Sequence, residues 1–174
     1  KKLLQQTLGF IFDDAALLQR ALTHRSASSD HNERLEFLGD GILGAIIAEQ
    51  LYLAFPKADE GQMTRLRAKL VCKSFLAFVA SEINLSDFLV IGEGERKSAG
   101  FRSESILADS LEAVIGAVFL DGGWEAAQQV ILLLYKEHLA ALDYRQVQKD
   151  AKTRLQERLQ GKGQVLPLYE IVCV

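Results

Sequence analysis

In the stretch 32–55, Glu33, Glu36 and Asp40 are spaced at i, i+3 and i+7. At 3.6 residues per turn this spacing lines them along one narrow stripe of a helix. Leu35, Leu38, Ile42 and Ile46 fall on the opposite side, and the acidic stripe itself runs on into Leu43, Ile47 and Leu51. A helix that is apolar on both sides is central to its fold, so these acids do not decorate a solvated surface. Ile106–Ile115 repeats the pattern, with Asp109 and Glu112 as its only acids, one turn apart. Packing the two helices side by side would gather Glu36, Asp40, Asp109 and Glu112. Carboxylates crowded into a partly buried site repel one another and are costly to desolvate unless a cation compensates them. Hard oxygen donors with no Cys or His nearby suit magnesium, with manganese as a substitute. Such an ion supplies an activated water for in-line attack on a phosphodiester.

Simpler roles compete at the flanks. Glu33 is also placed to complete a capping box with Asp30. Glu60 lies in the first turn of a helix, where an acid favours the helix dipole. Asp40 and Glu112 sit in near-continuous apolar sequence with no such role, and an ion-pair network is their remaining structural reading. Other chemistries fit poorly. A di-iron carboxylate bundle needs Glu-x-x-His pairs, but the residues three before His24, His31 and His138 are Ala21, Ser28 and Tyr135. No nucleophile elbow or phosphate-cradling loop is present, because Gly161-Lys162-Gly163 has the wrong spacing. The histidines read as structural or exposed.

The elements that must position these acids are helical. Two prolines in 174 residues, and no β-alternation until the last few, predict an all-α body. Leu3–His24 reads as a short helix, a break at Gly9, and a second helix capped near Asp13. The central helix runs from about Asn32 to Phe55, stopped by Pro56. Asp59 and Gln62 have capping-box spacing at the start of the next helix, and another covers roughly Lys73–Ile83. Ile91–Ser105, rich in Gly, Ser and charge, reads as a surface loop. Ile106–Leu120 and Glu125–Leu142 close the helical body. From Asp150 the pattern changes to a short amphipathic helix, a Gly161 and Gly163 break, and a strand over Leu168–Val174.

Charge divides the chain in the same place. Residues 1–144 carry 14 basic and 20 acidic side chains, and residues 145–174 carry 6 and 3. An acidic body with a basic tail suggests two modules, the tail being the better candidate for a polyanion. Cys72 and Cys173 fit neither a disulfide framework nor a zinc spacing, which points to a reducing compartment, the cytoplasm. The longest apolar runs are interrupted by charge well short of a membrane span, and no signal-peptide pattern is seen at Lys1. Secreted, membrane-spanning and zinc-finger classes are excluded on these grounds.

The segment Asn32-Glu33-Arg34-Leu35-Glu36-Phe37-Leu38-Gly39-Asp40 closely resembles the signature motif of the bacterial ribonuclease III family. The likeness extends through Ala21-Leu22-Thr23-His24, Phe55-Pro56, Asp59-Glu60-Gly61 and Glu104-Ser105-Ile106-Leu107-Ala108-Asp109, and so covers Leu3–Leu142. Residues 150–160, with Pro167 and Tyr169, look like the opening helix and first strand of a double-stranded-RNA-binding domain. The resemblance implies a helical endonuclease domain over 1–144, a linker at 145–149, and an incomplete α/β RNA-binding module over 150–174 that holds only its first helix and first strand. It implies a homodimer that cuts double-stranded RNA and leaves 5′-phosphates and short 3′ overhangs, in the processing of precursor ribosomal and other structured RNAs. Position by position, Glu36, Asp40, Asp109 and Glu112 match the family's metal-binding acids, with Asp40 and Glu112 as the catalytic candidates. Glu33 and Glu60 match acids at the dimer cleft, and Phe37 matches an aromatic that inserts into the partner subunit.

Phe37 also raises a physical point of its own, since a large ring beside Glu33 is poorly placed on a monomer surface. A two-fold partner offering it a pocket would match the two strands of a duplex. RNA contact is expected from Arg96, Lys97 and Arg102 in the basic loop, and from Gln156 and Gln160 on one face of the tail helix. The chain departs from the family pattern at Gly41, where a Ser or another small side chain usually follows the signature Asp. A non-catalytic relative that binds RNA or a ribonucleoprotein is the alternative, and loss of any of the four acids would favour it. All four are present.

Overall fold

The computed structural model describes residues 1–97, 103–143, 156, 158–165 and 167. The chain divides into two compact units, Lys1–Tyr144 and Arg145–Val174. The first holds helices α1 (Lys2–Leu8), α2 (Ala15–Ala21), α3 (Glu33–Ala54), α4 (Glu60–Leu70), α5 (Lys73–Glu82), α6 (Glu93–Lys97) and α7 (Glu104–Ala140), with a 3-10 turn at Leu85–Phe88. No strand occurs among the described residues, where the extended pairing is one parallel bridge between Thr23 and Val90. The all-α expectation for this unit therefore holds.

Local chemistry sets the helix ends. Gly9 stops α1 in a left-handed conformation, φ 64°, that an L side chain resists. Asp14, one residue later than expected, caps α2 by accepting from the Ala16 amide at 2.8 Å. The Asp121 carboxylate of α7 accepts from the amides of Asp13 at 2.8 Å and Asp14 at 3.0 Å, tying this start to the body. The capping box of α4 forms as its spacing predicts, with Asp59 accepting from the Gln62 amide and the Gln62 side chain accepting from the Asp59 amide. Ser103 caps α7 through the Ile106 amide.

The core is built where α3 meets α7, the most extensive helix contact in the unit, with α5 packed on α7 from another side. Leu43, Ile46, Ile47 and Leu51 of α3 and Leu111, Val114, Ile115 and Val118 of α7 are all fully or almost fully buried. By length and composition alone α3 could cross a membrane, which the reading of interrupted apolar runs did not anticipate. Its acids and its packing against α7 make it the central helix of a globular unit.

Three local expectations are corrected. The 91–105 stretch is not all loop, because Glu93–Lys97 forms α6. The two closing helices are continuous except at Gly123, whose φ of 78° and ψ of −167° break the helical path. Asp30 does not form a capping box with Glu33. Its carboxylate pairs with Arg20 at 2.6 Å, and Asn32 occupies the cap position of α3. In the second unit, residues 156 and 158–160 are helical and end at Gly163, φ 64°. The expected strand over 168–174 lies outside the described residues.

Candidate active site

α3 and α7 approach at backbone contact. A Cβ on Gly39 would fall 2.6 Å from the Glu112 carbonyl carbon and closer still to its oxygen. One on Gly116 would fall 3.1 Å from the Leu35 carbonyl carbon, again closer to the oxygen. Two glycines facing each other's main chain thus remove the side-chain layer that normally separates helices by 8–10 Å. The acids one turn away are drawn together as a result. One carboxylate oxygen each from Glu36, Asp109 and Glu112 lie within 4.8 Å of one another. Asp40 stands outside that triplet and is exposed, but it is the acid that acts most strongly on Glu112. The structure therefore brings together the four acids chosen from sequence, three as a tight cluster and the fourth at its rim.

The cluster is electrostatically strained. Glu112 is only 9% exposed. Burial, followed by the charges of Asp40, Glu36 and Asp109, pushes its carboxyl up to about 7. Glu36 is also raised, by burial and then by Asp109. A divalent cation among these oxygens would offset both shifts by favouring the charged carboxylates. The donor set, carboxylates carried on two packed helices with no thiol or imidazole, fits a hard ion.

Beside the cluster lies a polar cleft of about 380 Å³ whose lining includes Arg25, Glu33, Glu36, Glu95, Ser105 and Asp109. The Glu33 carboxylate is held by Arg25 at 3.1 Å. Glu60 is not in this cleft. It accepts from the Thr64 hydroxyl at 2.8 Å and faces a separate groove with Tyr52, Met63 and Arg67. Phe37 projects into solvent, 84% exposed. Arg96 is exposed on α6, Gln156 and Gln160 are described in the second unit, and Arg102 and the side chain of Lys97 lie outside the described residues. His24 contacts Ser26, His31 faces Glu33, and His138 pairs with Glu82 among Phe75, Phe78 and Tyr135, so none joins the cluster.

Sequence reasoning missed Lys73 and Ser105. Lys73 Nζ lies 3.1 Å from Asp109 Oδ1 and donates to Ser105 Oγ at 2.9 Å, and Ser105 Oγ donates to Asp109 Oδ2 at 3.1 Å. Ser105 was within reach of pattern reading, one turn before Asp109 on the same helix. Lys73 opens a different helix, and no spacing announces it.

The sequence model of the family described as Ribonuclease-III-like matches residues 14–139. The chain belongs to the ribonuclease III family. It is 54% identical over 169 residues to Ribonuclease 3 of Shewanella loihica, spanning 97% of this chain and 75% of that protein. Its fold is similar to the crystal structure of the nuclease domain of ribonuclease III from Campylobacter jejuni, with a TM-score of 0.78 and 41% identity over 82% of this chain and 97% of that one. A second structure of the same domain, described for structural flexibility in a region involved in dimer formation, matches with a TM-score of 0.76 and 43% identity over 78% and 96%. Within the ribonuclease III fold, the α3–α7 seam is the element that presents the acids.

Proposed function

We propose that this ribonuclease III family member is a magnesium-dependent homodimeric endoribonuclease that hydrolyses phosphodiester bonds in double-stranded RNA. The observation that carries this reading is the convergence of Glu36, Asp109 and Glu112, with Asp40 at the rim, in a protein whose close relatives are named Ribonuclease 3. Glu36, Asp109 and Glu112 would hold the ion, and Asp40 would complete its surroundings from the exposed side. When bound, a divalent ion acts as a Lewis acid toward phosphate oxygens and lowers the cost of deprotonating an attacking water. Glu112, buried and crowded, keeps a proton near neutrality until a cation offsets its neighbours. Metal uptake and loss of that proton are therefore linked at this carboxyl. Manganese satisfies the same donor chemistry.

The exposed Phe37 ring supports association through α3, with Glu33 and Glu60 near the resulting cleft. The first compact unit ends at Tyr144, which supports a nuclease domain over 1–144. A linker at 145–149 and the beginning of a double-stranded-RNA-binding module over 150–174 follow from the family reading. Arg96, Lys97, Arg102, Gln156 and Gln160 are the proposed RNA contacts. Products with 5′-phosphates and short 3′ overhangs, precursor ribosomal RNA as substrate, and a cytoplasmic site of action follow from the family reading.

The test is incubation of the full chain with a long RNA duplex, with and without magnesium. Discrete short duplex products only with the metal support the enzyme. An intact duplex under both conditions, from folded dimeric protein, would leave a non-catalytic RNA-binding relative as the better reading.

A further inference from the structure

Among the described residues, Lys73 makes the only ion pair to Glu36, Asp109 or Glu112. It engages both oxygens of Asp109, one directly at 3.1 Å and the other through the Ser105 hydroxyl. A metal ion and an ammonium group are rivals for the same carboxylate. Lys73 is also badly placed for its own helix, because a cation in the first turn of α5 opposes the helix dipole. Its position is nonetheless firm, since Leu76, Val79 and Ala80 anchor the following turns in the core. Its side chain is 56% exposed, so the ammonium can leave Asp109 for solvent without disturbing packing.

We propose that Lys73 is the resident counter-cation of the acidic cluster, neutralising Asp109 in the metal-free protein and yielding it when a divalent ion binds. Lys73 thereby stabilises the metal-free fold and weakens divalent-ion affinity. Its charge also reaches Glu36 and Glu112, where it opposes the upward push of burial. This inference rests on the metal-site reading above and assigns Lys73 a tuning role, separate from the ligands themselves.

The experiment is calorimetric titration of magnesium chloride into the full chain and its Lys73→Gln, Lys73→Arg and Lys136→Gln variants. Melting curves in chelator and in saturating magnesium accompany it. Lys73→Gln is expected to bind magnesium about two- to five-fold more tightly, the range of a partly exposed ion pair. It should also melt at a lower temperature than wild type in chelator. A merely local effect on α5 predicts the reverse, a higher melting temperature once the misplaced cation is gone. Lys73→Arg should keep wild-type behaviour, and Lys136→Gln, on an exposed part of α7, should control for net charge. Unchanged or weaker magnesium binding by Lys73→Gln overturns the proposal, as does an undiminished metal-free melting temperature. Wild-type protein that takes up no magnesium overturns the metal-site reading itself, a result distinct from equal binding by both proteins.

Discussion

Gly39 of α3 packs directly on the main chain of Glu112 in α7, where a single methyl group would fall 2.6 Å from the Glu112 carbonyl carbon. Gly116 returns the contact against Leu35. The spacing between Glu36 and the acids of α7 is thus set by the main chain. An obstruction here acts on the metal site before it acts on the rest of the core.

Gly39→Ala should therefore force the helices apart, destabilise the protein by roughly 1–3 kcal/mol, and weaken magnesium binding. Calorimetric melting and magnesium titration check both parts. An alanine variant with wild-type stability and affinity would mean that α3 and α7 tolerate a wider seam. Gly41, two residues on, faces open space and carries no such constraint.

Glu112→Gln keeps size and hydrogen-bonding capacity but removes one charge from the cluster. Cleavage and metal affinity should fall together, while duplex binding survives or strengthens because a less acidic site repels phosphate less. Gel-shift and cleavage assays in parallel decide it, and a variant cutting at the wild-type rate in low magnesium would remove Glu112 from the mechanism.

The acids were legible because helical periodicity alone puts Glu36 with Asp40 and Asp109 with Glu112. Their meeting was expected from packing the two helices side by side, but the closeness of that packing was not legible. It depends on Gly39 facing Glu112, and a glycine in an apolar helix does not say which main chain it will touch. Lys73 was invisible for a related reason, being 36 positions from Asp109 in a separate helix. The sequence also offered an Asp30–Glu33 capping pair as an alternative role for Glu33, and it lost to Arg20 and Arg25, which pair with those carboxylates. α6 was hidden by the glycines and charges that make its segment look like loop.

Stability without metal should depend on pH through Glu112. Its carboxyl rises from the usual 4.5 to about 7 in the fold, so the folded chain holds that proton more tightly than the unfolded one. The associated stability is complete below about pH 4.5 and is lost as pH climbs through about 7. In chelator the melting temperature should fall across this window, and Glu112→Gln should flatten that fall. Magnesium should restore stability at the alkaline end. A wild-type melting temperature that rises across the same range in chelator would contradict the assignment.

Phe37→Ala should weaken self-association more than it weakens folding, because the ring is almost wholly in solvent within one chain. Sedimentation over a dilution series, read beside a melting curve at high concentration, separates the two. Wild-type protein that sediments as a monomer at micromolar concentration would count against the dimer.

The order of residues in α3 has a mechanical consequence. Glu36, Phe37, Gly39 and Asp40 occupy little more than one turn of a single rod, with the aromatic ring pointing outward and the acids lying along the α7 seam. Gly39 and Gly116 lock this rod against α7 at main-chain contact, and Leu43, Ile46, Ile47 and Leu51 anchor its remaining turns in the core. The ring and the acids therefore form one rigid ruler, and any surface that seats Phe37 is registered to within about a turn of helix, about 5 Å, of the acidic cluster.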